Sequence, residues 1–314
     1  MHTTEQRSTE PAARGAMRAI IHDGTAFRFA EAPVPRREQP DEVLVRVATI
    51  SENRGEHGFA WEPGRVVGWD AAGTVVETSA DGLGPAVGTR VATWGFSGAW
   101  AEYRSVRRGC LAAVPEGVGD AVAASIPVAG MTALQAIRMA GIRPGTGVAI
   151  TGATGGVGHL AVQLAAEAGA AVTAPVRSPG AAVWLLERPG GDAIRLLDAA
   201  EARSLGAVDA VIDAVGGPLL AELLDHVRPG GRAVLVGSAS GRRAAVDTGS
   251  LAGRRIDLLS VRIPEAVDEA LGHLLALVDD GRLEISVEVE GGWERLLAAE
   301  PGDGVRGKRV YRVR

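Results

Sequence analysis

Cysteine is almost absent from this chain: Cys110 is the single one in 314 residues. An intrachain disulfide is therefore impossible, and a thiolate zinc site built within one chain is excluded. Cys110 has no thiol-activating neighbour in the text, so it reads as a small core residue and not as a nucleophile. Lysine is equally scarce. Of 33 basic residues only Lys308 is a lysine, which removes most Schiff-base chemistry, since a lysine amine is its usual nucleophile. No run of about 20 apolar residues is present, the length a membrane-crossing helix needs, and no span is expected. The first 16 residues, MHTTEQRSTEPAARGA, lack the apolar centre of a secretory signal. They read as a disordered tail, and the expected compartment is the cytoplasm. A net charge of −5 gives no general attraction to nucleic acid or to an acidic membrane, so neither is expected as a partner.

What the chain does contain is two textures, in a length that suits two domains. From residue 17 to about 114, apolar alternation in MRAIIH (17–22), EVLVRVATIS (42–51) and AGTVVET (72–78) is broken by Gly, Pro and Asp, which predicts an all-β lobe, barrel-like in form. From about 125 to 263, short apolar strands alternate with Ala-rich helical stretches. GVAIT (147–151), AVTAPV (171–176), AVIDAV (210–215) and RAVLVG (232–237) read as buried strands of a parallel, doubly wound sheet. A last helix near 265–280 leads into β-like text, VEVEGG (287–292) and GKRVYRVR (307–314).

The most informative motif is GATGGVG, 152–158, between a predicted strand and a helix expected to begin near Gly155. Glycines there allow a tight turn and close approach of backbone to ligand. The helix start offers free N–H groups and a partial positive charge, which suit a pyrophosphate. Ala153, Thr154, Gly155, Gly156 and Val157 are the candidate cradle. The next strand runs into VRSPG, with no acid from 171 to 186, whereas an NAD site usually places an Asp or Glu there for the ribose hydroxyls. Arg177 with its fork and Ser178 with its hydroxyl suit a 2′-phosphate instead, which favours NADPH; the bland alternative for Arg177 is a solvated loop residue. Gly237 and Ser238 end another strand and are assigned to the nicotinamide end, or are ordinary strand-to-loop residues.

Together with VVGWDAAGTVVE (66–77), GAWAEYRSV (98–106), the long run 124–170, VDAVIDAVGG (208–217), RPGGRAVLVG (228–237) and GKRVYRV (307–313), these segments make the chain resemble the medium-chain dehydrogenase/reductases, in particular their zinc-independent quinone oxidoreductase and enoyl reductase branch. The resemblance implies an α/β architecture. A GroES-like β-barrel lobe would be made from 17–124 and 265–314, and a Rossmann-like nucleotide domain from 125–264 would be inserted into it. It also implies an active site between the lobes and a homodimer formed edge to edge near 256–263. Zinc-using members carry a Cys and a Gly-His-Glu motif in the first lobe. Here the matching text is ISENRGE (50–56) and GWD (68–70), with Trp69 in the histidine's place and no cysteine-rich loop. No metal is expected.

Chemistry without a metal needs hydrogen bonds that stabilise negative charge on the substrate oxygen. Asn53 matches an asparagine that zinc-free relatives place near the nicotinamide; it either donates there or caps a turn with Arg54–Gly55. Glu56 either relays protons or pairs with Arg54. Thr132 resembles a family threonine beside the nicotinamide, or is a helix N-terminal hydroxyl. Trp61, Trp94 and Phe96 are candidate pocket walls for a flat unsaturated substrate, whereas Trp100 reads as core packing. Tyr103 and Tyr311 are the two tyrosines. Tyr103 sits in strand-like text, so the tyrosine proton donor of some enoyl reductases has no counterpart. The expectation is NADPH-dependent reduction of a quinone, enone or related conjugated carbonyl. The alternatives are a biosynthetic enoyl or ketone reductase acting on a bulky or carrier-bound intermediate, or a non-catalytic NADPH-binding sensor.

Overall fold

The computed structural model describes residues 15–298 and 305–313; most of the tail expected over 1–16 lies outside the described residues. The first lobe starts with an antiparallel pair, β1 (Ala16–His22) and β2 (Phe27–Pro33). β3 (Glu42–Ser51) follows, then the one-turn helix α1 (Arg54–His57), β4 (Asp70–Glu77), β5 (Arg90–Trp94), β6 (Tyr103–Arg107) and β7 (Leu111–Ala113). β3 is ten residues long and rich in β-branched side chains, with Val43, Val45, Val47 and Ile50 buried, as a strand covered by neighbours requires. It pairs antiparallel with β4 and β6. The order of the lobe's seven-stranded sheet is β14-β15-β3-β4-β5-β7, with β6 on β3.

α2 (Asp120–Ala140) leads into the second lobe and ends on Gly141 in the left-handed conformation (φ 69°), the usual helix stop. By length and composition α2 alone among the described helices would suffice to cross a bilayer, a stretch the sequence reading passed over. Yet 72% of its most apolar window is buried inside the protein. It is a core helix, its Ala, Ile and Met side chains packed against both lobes.

The second lobe contains β8 (Gly147–Ile150), α3 (Gly158–Glu167), β9 (Ala171–Val176), α4 (Pro179–Ala182), β10 (Ile194–Asp198), β11 (Val208–Asp213), α5 (Gly217–Asp225), β12 (Val227–Leu235), α6 (Thr248–Arg254) and β13 (Asp257–Ser260). Its six strands are all parallel, in the order β10-β9-β8-β11-β12-β13. The order reverses beside β8, which places the switch point, and hence the expected ligand crevice, at the carboxyl ends of β8 and β11. β10 escaped the sequence reading: its text, IRLLD, is short and has an exposed arginine at its second position.

α7 (Asp268–Asp279) packs on α2. The chain then returns to the first lobe as β14 (Val287–Gly292), parallel to β15 (Lys308–Arg312), which pairs antiparallel with β3. An isolated bridge joins Gly155 to Gly307, and Gly307 N donates to Thr154 O (3.0 Å). The returning strand therefore passes directly beside the glycine turn.

Candidate active site

Helix α3 begins at Gly158, three residues later than expected, because Gly155–Val157 form the preceding turn. Gly155 N donates back to Gly152 O (2.9 Å), and the first helical bond runs from His159 N to Gly155 O (3.1 Å). The N–H groups of Gly156 and Val157 have no acceptor among the described residues. Gly158 must lack a side chain, since a Cβ there would lie 2.0 Å from Gly152 O. These features fit a pyrophosphate at a helix start. His159 is fully buried. Its Nδ1–H donates to Gly155 O (2.8 Å) and its Nε2 accepts from Ser286 N (3.3 Å), so the turn is clamped to the chain that leads into β14. Burial holds the imidazole neutral, with its pKa lowered to about 4.

Arg177 and Ser178 stand at the carboxyl end of β9, both exposed. Arg177 has no hydrogen-bond or ion-pair partner among the described residues, so its guanidinium is available to an anion. Asp213 ends β11 as a buried cap: it accepts from Thr151 Oγ1 (2.6 Å) and Gly216 N (2.8 Å), which leaves it structural. Gly237 and Ser238 are exposed just past β12. Ser238 Oγ lies 3.2 Å from where a Cβ on Gly216 would be, so these loops close together at the same sheet edge. Thr132 lies in the middle of α2, not at a helix N-terminus, and is 8% exposed.

In the first lobe, residues 50–56 and 68–70 converge on one amine. Lys308 Nζ donates to Glu52 O (2.8 Å) and to Asn53 Oδ1 (2.6 Å), and lies 3.8 Å from Asp70 Oδ2. Asn53 Nδ2 donates to the same Asp70 oxygen (2.9 Å), while Asp70 Oδ1 accepts from Val128 N (3.1 Å), one residue past Pro127 in α2. Asn53 also begins α1, where Glu56 Oε2 accepts from Asn53 N (2.6 Å), one half of a capping box. Glu56 Oε1 accepts from Trp69 N (2.6 Å). Both Glu56 oxygens are thus engaged with backbone in the interior, while Arg54 is exposed; of the alternatives for Glu56, the surface ion pair gives way to a buried cap. Burial, helped by the Asp70 charge, pushes Glu56 up to about 8, against the pull of Lys308 and the two N–H donors. Burial likewise raises Asp70 and lowers Lys308. Glu52 would be raised by burial but is held below its ordinary value by His57, Tyr311 and Arg309.

The aromatic candidates separate. Trp61 is buried and its indole N–H donates to Glu56 O (2.8 Å), with the Phe59 and Trp69 rings tilted against it. Trp94 is 5% exposed, in the core and opposite Asp70 in the β4–β5 ladder; Phe96 packs on it edge-on (4.9 Å) and is 59% exposed. Trp100 is fully buried, as expected. Tyr311 is buried with its hydroxyl donating to Glu52 Oε2 (3.0 Å), and Tyr103 is half-buried in β6. Among the described residues no group of three or more His, Cys, Asp or Glu side chains could hold a metal ion.

Sequence reasoning passed over Lys308 and Asp70. The signal was compositional: Lys308 is the one lysine and Asn53 the one asparagine in the chain, and the two are hydrogen-bonded to each other. Two sizeable concavities lie elsewhere. One, of about 460 Å³, is at the amino ends of β8 and β11 beside Arg143 and Asp209; the other, of about 540 Å³, lies between α2 and the start of α7. Space beside Gly156 is taken by the Lys308 stem, which a Cβ on that glycine would meet at 2.8 Å.

A β lobe joined to a doubly wound parallel sheet, with a glycine turn packed beside a buried polar cluster of the first lobe, is the architecture of a two-lobed dinucleotide-dependent oxidoreductase. The comparisons agree with it. Residues 39–116 match the alcohol dehydrogenase GroES-like domain, and 156–279 match the zinc-binding dehydrogenase family. The chain is 35% identical over 228 residues to the spectinabilin polyketide synthase system protein NorB of Streptomyces orinoci. That match covers 70% of this chain but spans only about a tenth (10%) of the relative's length. It is 27% identical to the acryloyl-coenzyme A reductase of Sulfurisphaera tokodaii, over 90% of this chain and 92% of that one. Among solved structures it is similar to the quinone oxidoreductase from Coxiella burnetii, with a TM-score of 0.81, 25% identity, and coverage of 96% and 100% of the two chains. The chain belongs to the medium-chain dehydrogenase/reductase superfamily, whose members use a nicotinamide dinucleotide.

Proposed function

We propose that this protein reduces a quinone, enone or related conjugated carbonyl with NADPH and without zinc. The observation that carries the reading is the meeting of the glycine turn, with two free N–H groups, and the Asn53–Asp70–Lys308 cluster, which draws on the two segments whose text matches the metal-ligand motifs of zinc-using members. Gly155, Gly156 and Val157, with Ala153 and Thr154 behind them, would hold the pyrophosphate, and Arg177 with Ser178 the 2′-phosphate. Gly237, Ser238 and Thr132 would flank the nicotinamide. When bound, the dinucleotide supplies the hydride. Asn53 keeps one N–H beyond its bond to Asp70 and offers it to the oxygen where charge develops. Glu56 acts at one remove, holding Asn53 and Trp69 by their backbone N–H groups. Phe96 is the exposed aromatic wall, while Trp61 and Trp94 support the lobe from behind.

In this reading residues 17–124 with 265–314 form the substrate lobe and 125–264 the nucleotide lobe. The open edge at β13, where Leu258 is 45% exposed, is the surface for a homodimer, and the protein works in the cytoplasm on a small molecule. The acryloyl-coenzyme A reductase and polyketide synthase relatives favour a second reading, reduction of an enoyl thioester.

The test is turnover of NADPH and NADH against quinones, enones and enoyl thioesters, with Arg177→Ala alongside. NADPH affinity is expected to fall about tenfold or more in that variant, the worth of a charge-assisted phosphate contact, with NADH affinity unchanged. Equal effects on the two dinucleotides overturn the NADPH assignment. Tight NADPH binding with no turnover on any acceptor points to a sensor.

A further inference from the structure

We propose that Lys308 is the positioning residue of this site: its ammonium stands in the place of a metal ion between segments 50–56 and 68–70, fixes the Asn53 carboxamide, and ties it through the lysine stem to the glycine turn. The role in turnover rests on the hydride-transfer reading above; the cage itself does not.

An ammonium has only donors and a carboxylate only acceptors. Lys308 therefore dictates that Asn53 Oδ1 faces Nζ at 2.6 Å, and Asp70 dictates that Nδ2 faces its carboxylate at 2.9 Å. One orientation of the carboxamide satisfies both, and it leaves a single N–H for a ligand. A cation on Oδ1 also draws electron density from the amide and strengthens that remaining donor. The chain uses arginine at every other basic position, yet here it keeps the compact point charge. The lysine side chain is 4% exposed, and its three oxygen partners, Glu52 O, Asn53 Oδ1 and Asp70 Oδ2, surround a volume suited to an ammonium and not to a planar five-donor fork. The stem then runs over Gly156, and the preceding residue is bonded to the turn through Gly307 N and Thr154 O (3.0 Å). Any ligand that moves the turn must be felt at Nζ, and through it at Asn53.

Because Asn53 is the one asparagine, a chain labelled with 15N-asparagine gives one side-chain amide pair in an NMR spectrum, which reports on the cage without turnover. Expected are a shift of that pair in Lys308→Met, and a response to NADPH in the wild type that is lost in the variant. With a reducible quinone or enone, Lys308→Met is expected to lower kcat by about a hundredfold, the scale of losing one positioned donor. KM for the acceptor stays within about threefold, as for a group acting on the transition state, and Lys308→Arg does not rescue. Should Lys308→Met fail to fold, the double variant Asp70→Asn/Lys308→Met, which leaves no buried unpaired carboxylate at 70, is measured in its place; its melting temperature is expected to recover while kcat does not. An unmoved amide pair, rescue by arginine, or wild-type kcat in the double variant overturns the proposal. Failure of the wild type to bind any dinucleotide overturns instead the reading of the site as a reductase, and the amide pair still judges the cage.

Discussion

At the scale of single residues, Trp61 and Phe96 divide two tasks that an aromatic side chain can perform. The Trp61 ring is buried and its N–H supports the carbonyl of Glu56, so Trp61→Phe is expected to cost about 1 kcal/mol, the net worth of one hydrogen bond, with little change in KM. Phe96 is mostly in water. Phe96→Ala is expected to leave stability within about 0.5 kcal/mol and to act on acceptor KM alone. Denaturant melts and steady-state kinetics on the two variants check both; a reversed pattern would exchange their roles. The same scale shows where the text was opaque. Asn53 and Glu56 could be named as candidates because they lie in a segment resembling a family motif. Lys308 was not, because it reaches Asn53 from 255 positions away, and no local pattern encodes that distance. Trp61 and Trp94 looked like pocket residues because they neighbour turns in sequence, yet neighbouring a turn does not fix on which side of the sheet a ring is placed.

Among elements, the glycine turn and α3 carry the most testable constraint. A Cβ on Gly158 would meet Gly152 O at 2.0 Å and its carbonyl carbon at 2.5 Å. Backbone cannot yield as a side chain does, so Gly158→Ala is expected to lose about 3 kcal/mol or more. A Cβ on Gly156 would meet the Lys308 stem at 2.8 Å, a side chain that can shift, and Gly307 O at an ordinary 3.4 Å; Gly156→Ala is expected to fold and to lose dinucleotide affinity. Chemical denaturation paired with dinucleotide titration separates these outcomes, and equal destabilisation by both substitutions would contradict the geometry. The strands of this lobe were readable because each is a short apolar run with turn chemistry on either side. The start of α3 was misjudged by three residues because Gly155–Val157 are spaced like a first helical turn but form a bend in which the Gly156 and Val157 N–H groups stay open. β10 was missed because an edge strand need not be apolar at every position.

For the whole molecule, stability should depend on pH through two buried groups that pull in opposite directions. His159 is neutral in the fold, with its pKa lowered from 6.5 to about 4 by burial. The unfolded chain therefore binds the proton first, and the stabilisation from a neutral His159 is complete above about 6.5 and lost as pH falls towards 4. At about 1.4 kcal/mol per pH unit this amounts to about 3 kcal/mol. Glu56 is the reverse: burial raises it from 4.5 to about 8, so its contribution is complete below 4.5 and lost as pH rises through 8. The two slopes nearly cancel between about 4.5 and 6.5 and leave Glu56 alone above that range. Melting curves are thus expected to decline from pH 6.5 to 8.5 in the wild type and to flatten there in Glu56→Gln. His159→Gln leaves the Glu56 slope unopposed, so its melting temperature is expected to fall from pH 5 to pH 7, where that of the wild type changes little. Because His159 holds the glycine turn to the segment before β14, and Glu56 holds α1 against Trp69 and the start of β4, the pair reads the glycine turn and the first-lobe cluster separately. An alkaline slope that survives Glu56→Gln would mean that the charge in the first-lobe cluster is carried by Asp70 and Lys308 alone, with Glu56 ionised under its two backbone donors.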